Sequence, residues 1–272
     1  MSTQNISYSN TCVSYMDIQG FKEMVLKLYL DKPAAVHGIL KEFKRAQYLD
    51  PCDWTSWQPD IVSFSDSIVR GVTQREPDCS YGQTVAHELQ ALRLIQQSLL
   101  IWRPSFACEE EPVYYGIHLR GGLSAGGIYI DEADNLAFGP ALIKAIELEG
   151  VKGSPFRIVI DAELIDLYPD TMKSLESESI IALDKDGLWF VDYLSVNSYA
   201  DYGALIEIQR LKKVCDVLQS NLSLGTKDKP LHQKYLWAAK RHNTAVTTSK
   251  QLKKSLSEEG ICLSWLTVQT EA

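Results

Sequence analysis

The spacing of hydrophobic positions changes along the chain. "CVSYMDI" (12–18) is a short, largely apolar run of the kind a buried strand carries, and Asp17 stands near its end, shortly before Gly20. A helix is predicted from about Lys22, and "PAAVHGILKEFKRAQYL" continues or restarts it, with Pro33 suited to a first helical turn. "PCDWTSWQPD" (51–60) reads as a loop, and "IVSFSDSIVRGVT" (61–73) as two β-branched strands meeting at Asp66 in a hairpin. "YGQTVAHELQALRLIQQSLLIWRP" predicts a long amphipathic helix ending at Pro104. "PVYYGIHLRGGLSAGGIYID" (112–131) carries two double glycines, which predict close backbone approach along two paired strands.

"FGPALIKAIELEG" opens on Gly-Pro and closes on Gly150, a helix with both ends marked. "PFRIVID" (155–161) reads as a strand leading into a short helix, and "IIALDKDGLWFVDYL" as a hairpin around Asp186–Gly187. From Asp201 to Asn243 the pattern is helical, with a break at "GTKDKP". Strands alternate with helices first and a helical tail follows, so the expected class is α/β, an α+β sandwich. The expected division is a domain over 1–200 with a helical extension over 201–272 packed on it.

Composition narrows the function classes. The 272 residues are 45% hydrophobic and carry a formal net charge of -8, enough apolar material for one sizeable core. The densest basic stretches, Lys212-Lys213 and Lys253-Lys254, lie in helical patterns and read as solvated faces, so no nucleic-acid partner is expected. A net-acidic chain must bind an anionic substrate locally, through a metal or a few placed cations. The six cysteines (Cys12, Cys52, Cys79, Cys108, Cys215, Cys262) form no C-x-x-C pair, and the five histidines no H-x-x-x-H pattern. This speaks against a zinc ribbon and gives no sign of a disulfide framework. The first ten residues lack the basic start and apolar core of a signal peptide, and no apolar run is long enough to cross a bilayer. A soluble, cytoplasmic protein without membrane partners is expected.

Asp17 and Asp66 are the pair that carries chemistry. Each stands at the end of a strand-like segment among small or apolar neighbours. If those strands lie side by side, the two carboxylates converge and repel unless a cation sits between them. Magnesium is usually held by one or two carboxylates plus substrate phosphates. Gly20 allows close backbone approach, and the following helix would aim its first N–H groups at phosphate. The alternative is plainer: Asp17 caps a helix and Asp66 turns a hairpin.

"YMDIQGF" resembles the first metal-binding motif of the class III nucleotidyl cyclases, in which an aspartate opens D-I-x-G-F, and "FSDSIV" resembles the second. "IHLRGGLSAGGIYI" and "FGPALIKAIELE" fall where that family has its central strand and the helix carrying base and transition-state contacts. The resemblance covers residues 12–165 and implies a mainly antiparallel central sheet with flanking helices. It also implies two divalent ions, Mg²⁺ or Mn²⁺, on Asp17 and Asp66 with the Ile18 backbone. The sequence departs from the purine cyclases. Val62 stands where they carry a lysine, Pro140 follows "FG" where they carry a base-reading aspartate, and Ile143 and Glu147 replace their asparagine and arginine.

One branch is similar across the whole pattern and through "QKYLWAAKRHN" (233–243): the uridylate and cytidylate cyclases of bacterial Pycsar anti-phage systems. That resemblance implies UTP or CTP as substrate, a 3′,5′-cyclic monophosphate as product, a head-to-tail homodimer with composite sites, and a separate effector protein that senses the product. Other readings are a catalytically inactive cyclase-like module and a purine cyclase. Arg120 is a candidate phosphate or transition-state contact, with a salt-bridged strand arginine as the alternative. Ile18, Gly20, Phe21, Tyr48 and Glu147 are the candidate substrate-binding positions. Lys144 and Glu147 are spaced for a helical surface pair, Arg157 could reach a triphosphate, and Trp54, Trp57 and Trp237 read as packing residues.

Overall fold

The structure, a computed structural model, describes residues 6–49, 58–73, 80–103, 116–151, 155–197, 203–224 and 229–270. Among the described residues the centre is an 8-stranded sheet. The strands are β1 (Ser9–Ile18), β2 (Asp60–Phe64), β3 (Ser67–Thr73), β4 (Leu119–Asp131), β5 (Leu136–Phe138), β6 (Ile158–Ile160), β7 (Ile181–Leu183) and β8 (Trp189–Val191). They run in the order β2-β3-β1-β4-β6-β8-β7, with β5 paired to the far part of β4. β4 and β6 pair in parallel, and the other pairings are antiparallel. The expected α+β sandwich with a mainly antiparallel sheet is what forms.

β1 shows why the sheet is covered on both sides. Alternate side chains of a strand face opposite ways. Cys12, Met16 and Ile18 join one core with α2 (Pro33–Ala46) and α3 (Tyr81–Ile101), whereas Val13 and Tyr15 pack with Ala141 and Leu142 of α4 (Pro140–Glu149). Asp17 has the parity of the α4 face. On the α3 face a buried ionic cluster ties three elements to β1. Glu88 of α3 accepts hydrogen bonds from Arg70 Nε of β3 (2.9 Å) and Ser14 Oγ of β1 (3.0 Å), and Arg70 also donates to the Gln47 carbonyl just beyond α2. A serine–glutamine capping box at Ser80 and Gln83 starts α3.

One expected element forms differently. The double glycines do not divide two strands; Leu119–Asp131 is one strand of 13 residues. The first pair is where neighbours approach the backbone. A Cβ on Gly121 would fall on the Tyr15 carbonyl of β1, and one on Gly122 on the Ala145 carbonyl of α4, with Leu148 Cβ at 2.7 Å. After Gly20 the helical segment restarts and does not run on, one of the two expected courses, with Pro33 in the first turn. A single turn, α1 (Phe21–Glu23), runs into a π segment at Met24–Leu28, and α2 restarts at Pro33. Lys32 before that proline leaves the helical region (φ -129°, ψ 61°), as a residue preceding proline tends to do.

Beyond β6 come α5 (Ala162–Leu167), α6 (Pro169–Ser177) and the β7–β8 hairpin, then α7 (Ala204–Leu224), α8 (Lys229–Thr248) and α9 (Lys250–Glu258). The expected boundary near residue 200 and residues 225–228 of the expected break at "GTKDKP" fall outside the described residues, and the last two residues of that break, Lys229 and Pro230, open α8. The last helices pack on the body: Val214, Leu218, Tyr235 and Ala238 share a core with Leu100, Phe156 and Tyr193. Trp237 docks α8 on the second hairpin, its Nε1 donating to Asp184 (2.9 Å) and its ring meeting Phe190 edge-on. Trp54 and Trp57 lie outside the described residues, as do Cys52, Cys79 and Cys108. No described helix is long and apolar enough to cross a membrane.

Gly122→Ala should lower the unfolding free energy by about 1–3 kcal/mol through overpacking against backbone. Gly127→Ala, whose nearest neighbour would be the Tyr8 side chain at 3.3 Å, should stay within about 0.5 kcal/mol of wild type. Urea titrations of the two variants check this, and equal stability would contradict the close α4–β4 approach.

Candidate active site

The register of three strands builds the site. Asp17 of β1 lies opposite Ser67 of β3 on one side and Arg120 of β4 on the other. Asp66 occupies the β2–β3 turn immediately before Ser67, and its carbonyl accepts the Ile18 backbone N–H at 3.1 Å. The hairpin expected from the sequence thus brings the two aspartates to the same end of the sheet. Ser65, in the same turn, takes a positive φ of 55°.

Asp17 is only 8% exposed, and both its carboxylate oxygens have partners. Oδ1 accepts from Ser67 Oγ at 3.2 Å, and Oδ2 accepts from Arg120 Nε and Nη2 at 3.0 and 2.9 Å. Tyr15 Oη donates to Ser67 Oγ at 3.0 Å and so backs that contact. Arg120 also forms an ion pair with Glu149, Nε to Oε1 at 2.6 Å, so one guanidinium bridges two carboxylates. Burial pushes the Asp17 carboxyl above the ordinary carboxylate value; Arg120 opposes this and Asp66 adds to it. Glu149 is likewise raised, first by burial, with Arg120 and Lys234 lowering it and Asp17 raising it. Two carboxylates that both resist ionisation around a single arginine can accommodate more positive charge.

The donor set fits a hard divalent ion of the kind oxygen ligands hold. Asp17 and Asp66 could supply carboxylate oxygens and Ile18 its backbone carbonyl; the Ile18 side chain is buried in the core. Among the described residues no group of three or more His, Cys, Asp or Glu forms a metal cluster. The rest of a coordination shell would therefore come from water and substrate phosphate, the usual condition of magnesium.

Gly20 is in the left-handed region (φ 80°) with open space where a side chain would be, so the backbone after the site is accessible. The helical run it opens is a single α turn, Phe21–Glu23, that passes directly into the π segment Met24–Leu28, and the Phe21 ring packs toward the α2–α3 core. Tyr48 is 68% exposed just beyond α2, and Glu147 is exposed on α4; neither is among the residues that contact or shift Asp17. Lys144 does not pair with Glu147. It reaches Asp161 (2.9 Å) and Glu163 (2.8 Å), because that side of α4 faces the start of α5. Arg157 is buried and paired with Asp184 and Asp186 of the second hairpin, so it serves that hairpin and not the Asp17 cluster.

Glu149 is the residue the sequence reading passed over. Ala141 and Ala145 are the buried stripe of α4, and Glu149 is the next position at the same i, i+4 spacing. That period separates it from Glu147, which projects outward. Ser67, directly after Asp66, was equally accessible to a strand-pairing argument.

No family model and no curated protein matches the chain. Among solved structures it is similar to the adenylyl cyclase CyaB from P. aeruginosa, at 17% identity and a TM-score of 0.47, over 73% of this chain and 100% of that one. Two structures of a bacterial light-regulated adenylyl cyclase are similar at 15% and 16% identity, with TM-scores of 0.44 and 0.43. Each match covers 78% of this chain, which spans 58% of the length of each of those chains.

Replacing Arg120 by leucine should raise the Asp17 pKa further, since it removes the principal group pulling it down. An acid with a raised folded pKa binds its proton more tightly when folded. The stability it contributes is present at low pH and lost as pH rises through the folded value, here over a window shifted upward. Carboxyl-carbon NMR titration of Asp17 reads this directly; an unchanged or lower value would show that Arg120 does not govern the carboxylate.

Proposed function

We propose that the protein is a nucleotidyl cyclase that converts a pyrimidine nucleoside triphosphate, UTP before CTP, to its 3′,5′-cyclic monophosphate and pyrophosphate. The observation that carries this reading is the meeting of Asp17 and Asp66 at one sheet end, each within the motif that resembles the cyclase metal motifs. The ribose 3′-oxygen forms a bond to the α-phosphorus, the bond from that phosphorus to pyrophosphate breaks, and the hydroxyl proton passes to water. Two divalent ions, Mg²⁺ or Mn²⁺, would supply charge stabilisation at the attacking oxygen and the phosphates when bound. Asp17 and Asp66 would hold them at the end of β1. Arg120 faces the phosphoryl oxygens; because Glu149 holds it as well, it can leave Asp17 without losing its ion pair.

The base preference rests on positions that depart from the purine cyclases. Val62 is fully buried in an apolar cluster and Ile143 is 60% exposed, so neither offers the polar contact a purine site would use. The exposed apolar side chains Tyr8, Leu136, Phe138, Ile143 and Ile146 support a homodimer with composite sites, in which Tyr48 and Glu147 meet the partner's nucleotide. In this reading the 201–272 extension completes a cytoplasmic enzyme whose product acts on a separate effector in anti-phage defence.

One observation favours a catalytically inactive, nucleotide-binding module: Arg120 and Ser67 already satisfy the Asp17 carboxylate. Incubation with each of the four ribonucleoside triphosphates and Mn²⁺ separates these readings, as it does a purine cyclase. Cyclic UMP or cyclic CMP should form, and Asp66→Ala should reduce the rate by at least about a hundredfold, the loss of several kcal/mol of electrostatic stabilisation, with an unchanged melting curve. Absence of any cyclic product from the wild-type protein would leave only the inactive module; cyclic AMP or GMP as the main product would make it a purine enzyme.

A further inference from the structure

A cavity of about 300 Å³ opens between the turn after β1 and helix α8, a size at the lower end for ligand sites. Gln19, Gly20 and Lys27 line one wall, and Lys234 and Tyr235 of α8 line the other. The turn is the direct continuation of the Asp17–Ile18 strand end, and Gly20 leaves its backbone open to a ligand.

The charges in the cavity have one sign in excess. Glu23 also lines it but is paired with Lys27 at 2.6 Å. His118 lines the floor and adds no charge, since burial holds its pKa down to about 3. Lys234 Nζ donates to the neutral Gln19 amide oxygen at 3.0 Å, and its charge also lowers the Glu149 pKa. Lys234 therefore reaches the turn that continues the Asp17–Ile18 strand end, from a helix that lies outside the sheet.

We propose that Lys234 binds the terminal phosphates of the substrate in this cavity, so that the C-terminal helices complete the substrate site. The identity of the polyphosphate rests on the cyclase reading; the anion site itself does not. A triphosphate with its α-phosphate at the carboxylate pair would extend past Gln19 and Gly20 to Lys234. The C-terminal extension is then part of the binding machinery and not only a packing element.

The test is calorimetric titration of the full-length protein with inorganic tripolyphosphate in Mg²⁺, for wild type, Lys234→Gln and Lys234→Arg. Glutamine keeps a donor for Gln19 and removes the charge. Loss of a charge-assisted contact should weaken tripolyphosphate binding about tenfold or more. Arginine should restore most of it, and UMP and CMP affinities should change less than about twofold, within the scatter of a remote site. Lys234→Gln binding as tightly as wild type, arginine failing to restore binding, or no binding to the wild-type protein would each overturn the assignment. Lys234-dependent tripolyphosphate binding without cyclisation of any triphosphate would sink the cyclase reading and leave the anion site standing. Cyclisation with Lys234-independent binding would do the reverse.

Discussion

Everything at the site depends on β1 being hydrogen-bonded along both edges. Its pairing with β3 and β4 puts Asp17 between Ser67 and Arg120, and a slip of one residue in either register would turn Asp17 to the opposite face. The register is held by burial. Cys12, Met16 and Ile18 can face only the α2–α3 core, and Ser14 meets the buried Glu88–Arg70 pair there. Breaking such a pair by removing one partner costs roughly 3–5 kcal/mol, so the same cluster that fixes the sheet also fixes the carboxylate.

That constraint explains the electrostatics. A carboxylate on the inner face of a covered strand cannot be fully hydrated, so burial makes its ionisation costlier and a nearby cation offsets that cost. Arg120 does this from the adjacent strand, and Glu149 at the end of α4 holds the arginine from the other side. The approach of α4 to β4 that places Glu149 there is possible because Gly122 has no side chain. A double glycine in β4 and an ion pair at the strand end are thus parts of one arrangement.

Much of this was legible in the sequence because its signals are local. The hairpin at Asp66, the helix between Gly139 and Gly150 and the strand ending at Asp17 follow from turn residues and apolar runs of a few positions each. The close approach at the double glycines was legible, but Leu119–Asp131 forms one strand where two were expected, because the neighbours that continue its pairing lie on other elements. The partners of Lys144 and Arg157 were not legible for the same reason: they lie on other elements. Glu149 could have been found from the i, i+4 stripe of α4, whereas the placement of Lys234 beside Gln19 joins positions 215 residues apart and needed the fold.

The account stands on Asp17 and Asp66 acting together as a cation site. Electron paramagnetic resonance of Mn²⁺ titrated into the wild-type protein and the Asp17→Asn/Asp66→Asn variant measures that site without requiring turnover. The account predicts a saturable loss of the free Mn²⁺ signal in the wild-type protein that the double variant abolishes while remaining folded. Equal Mn²⁺ uptake by both proteins would contradict it.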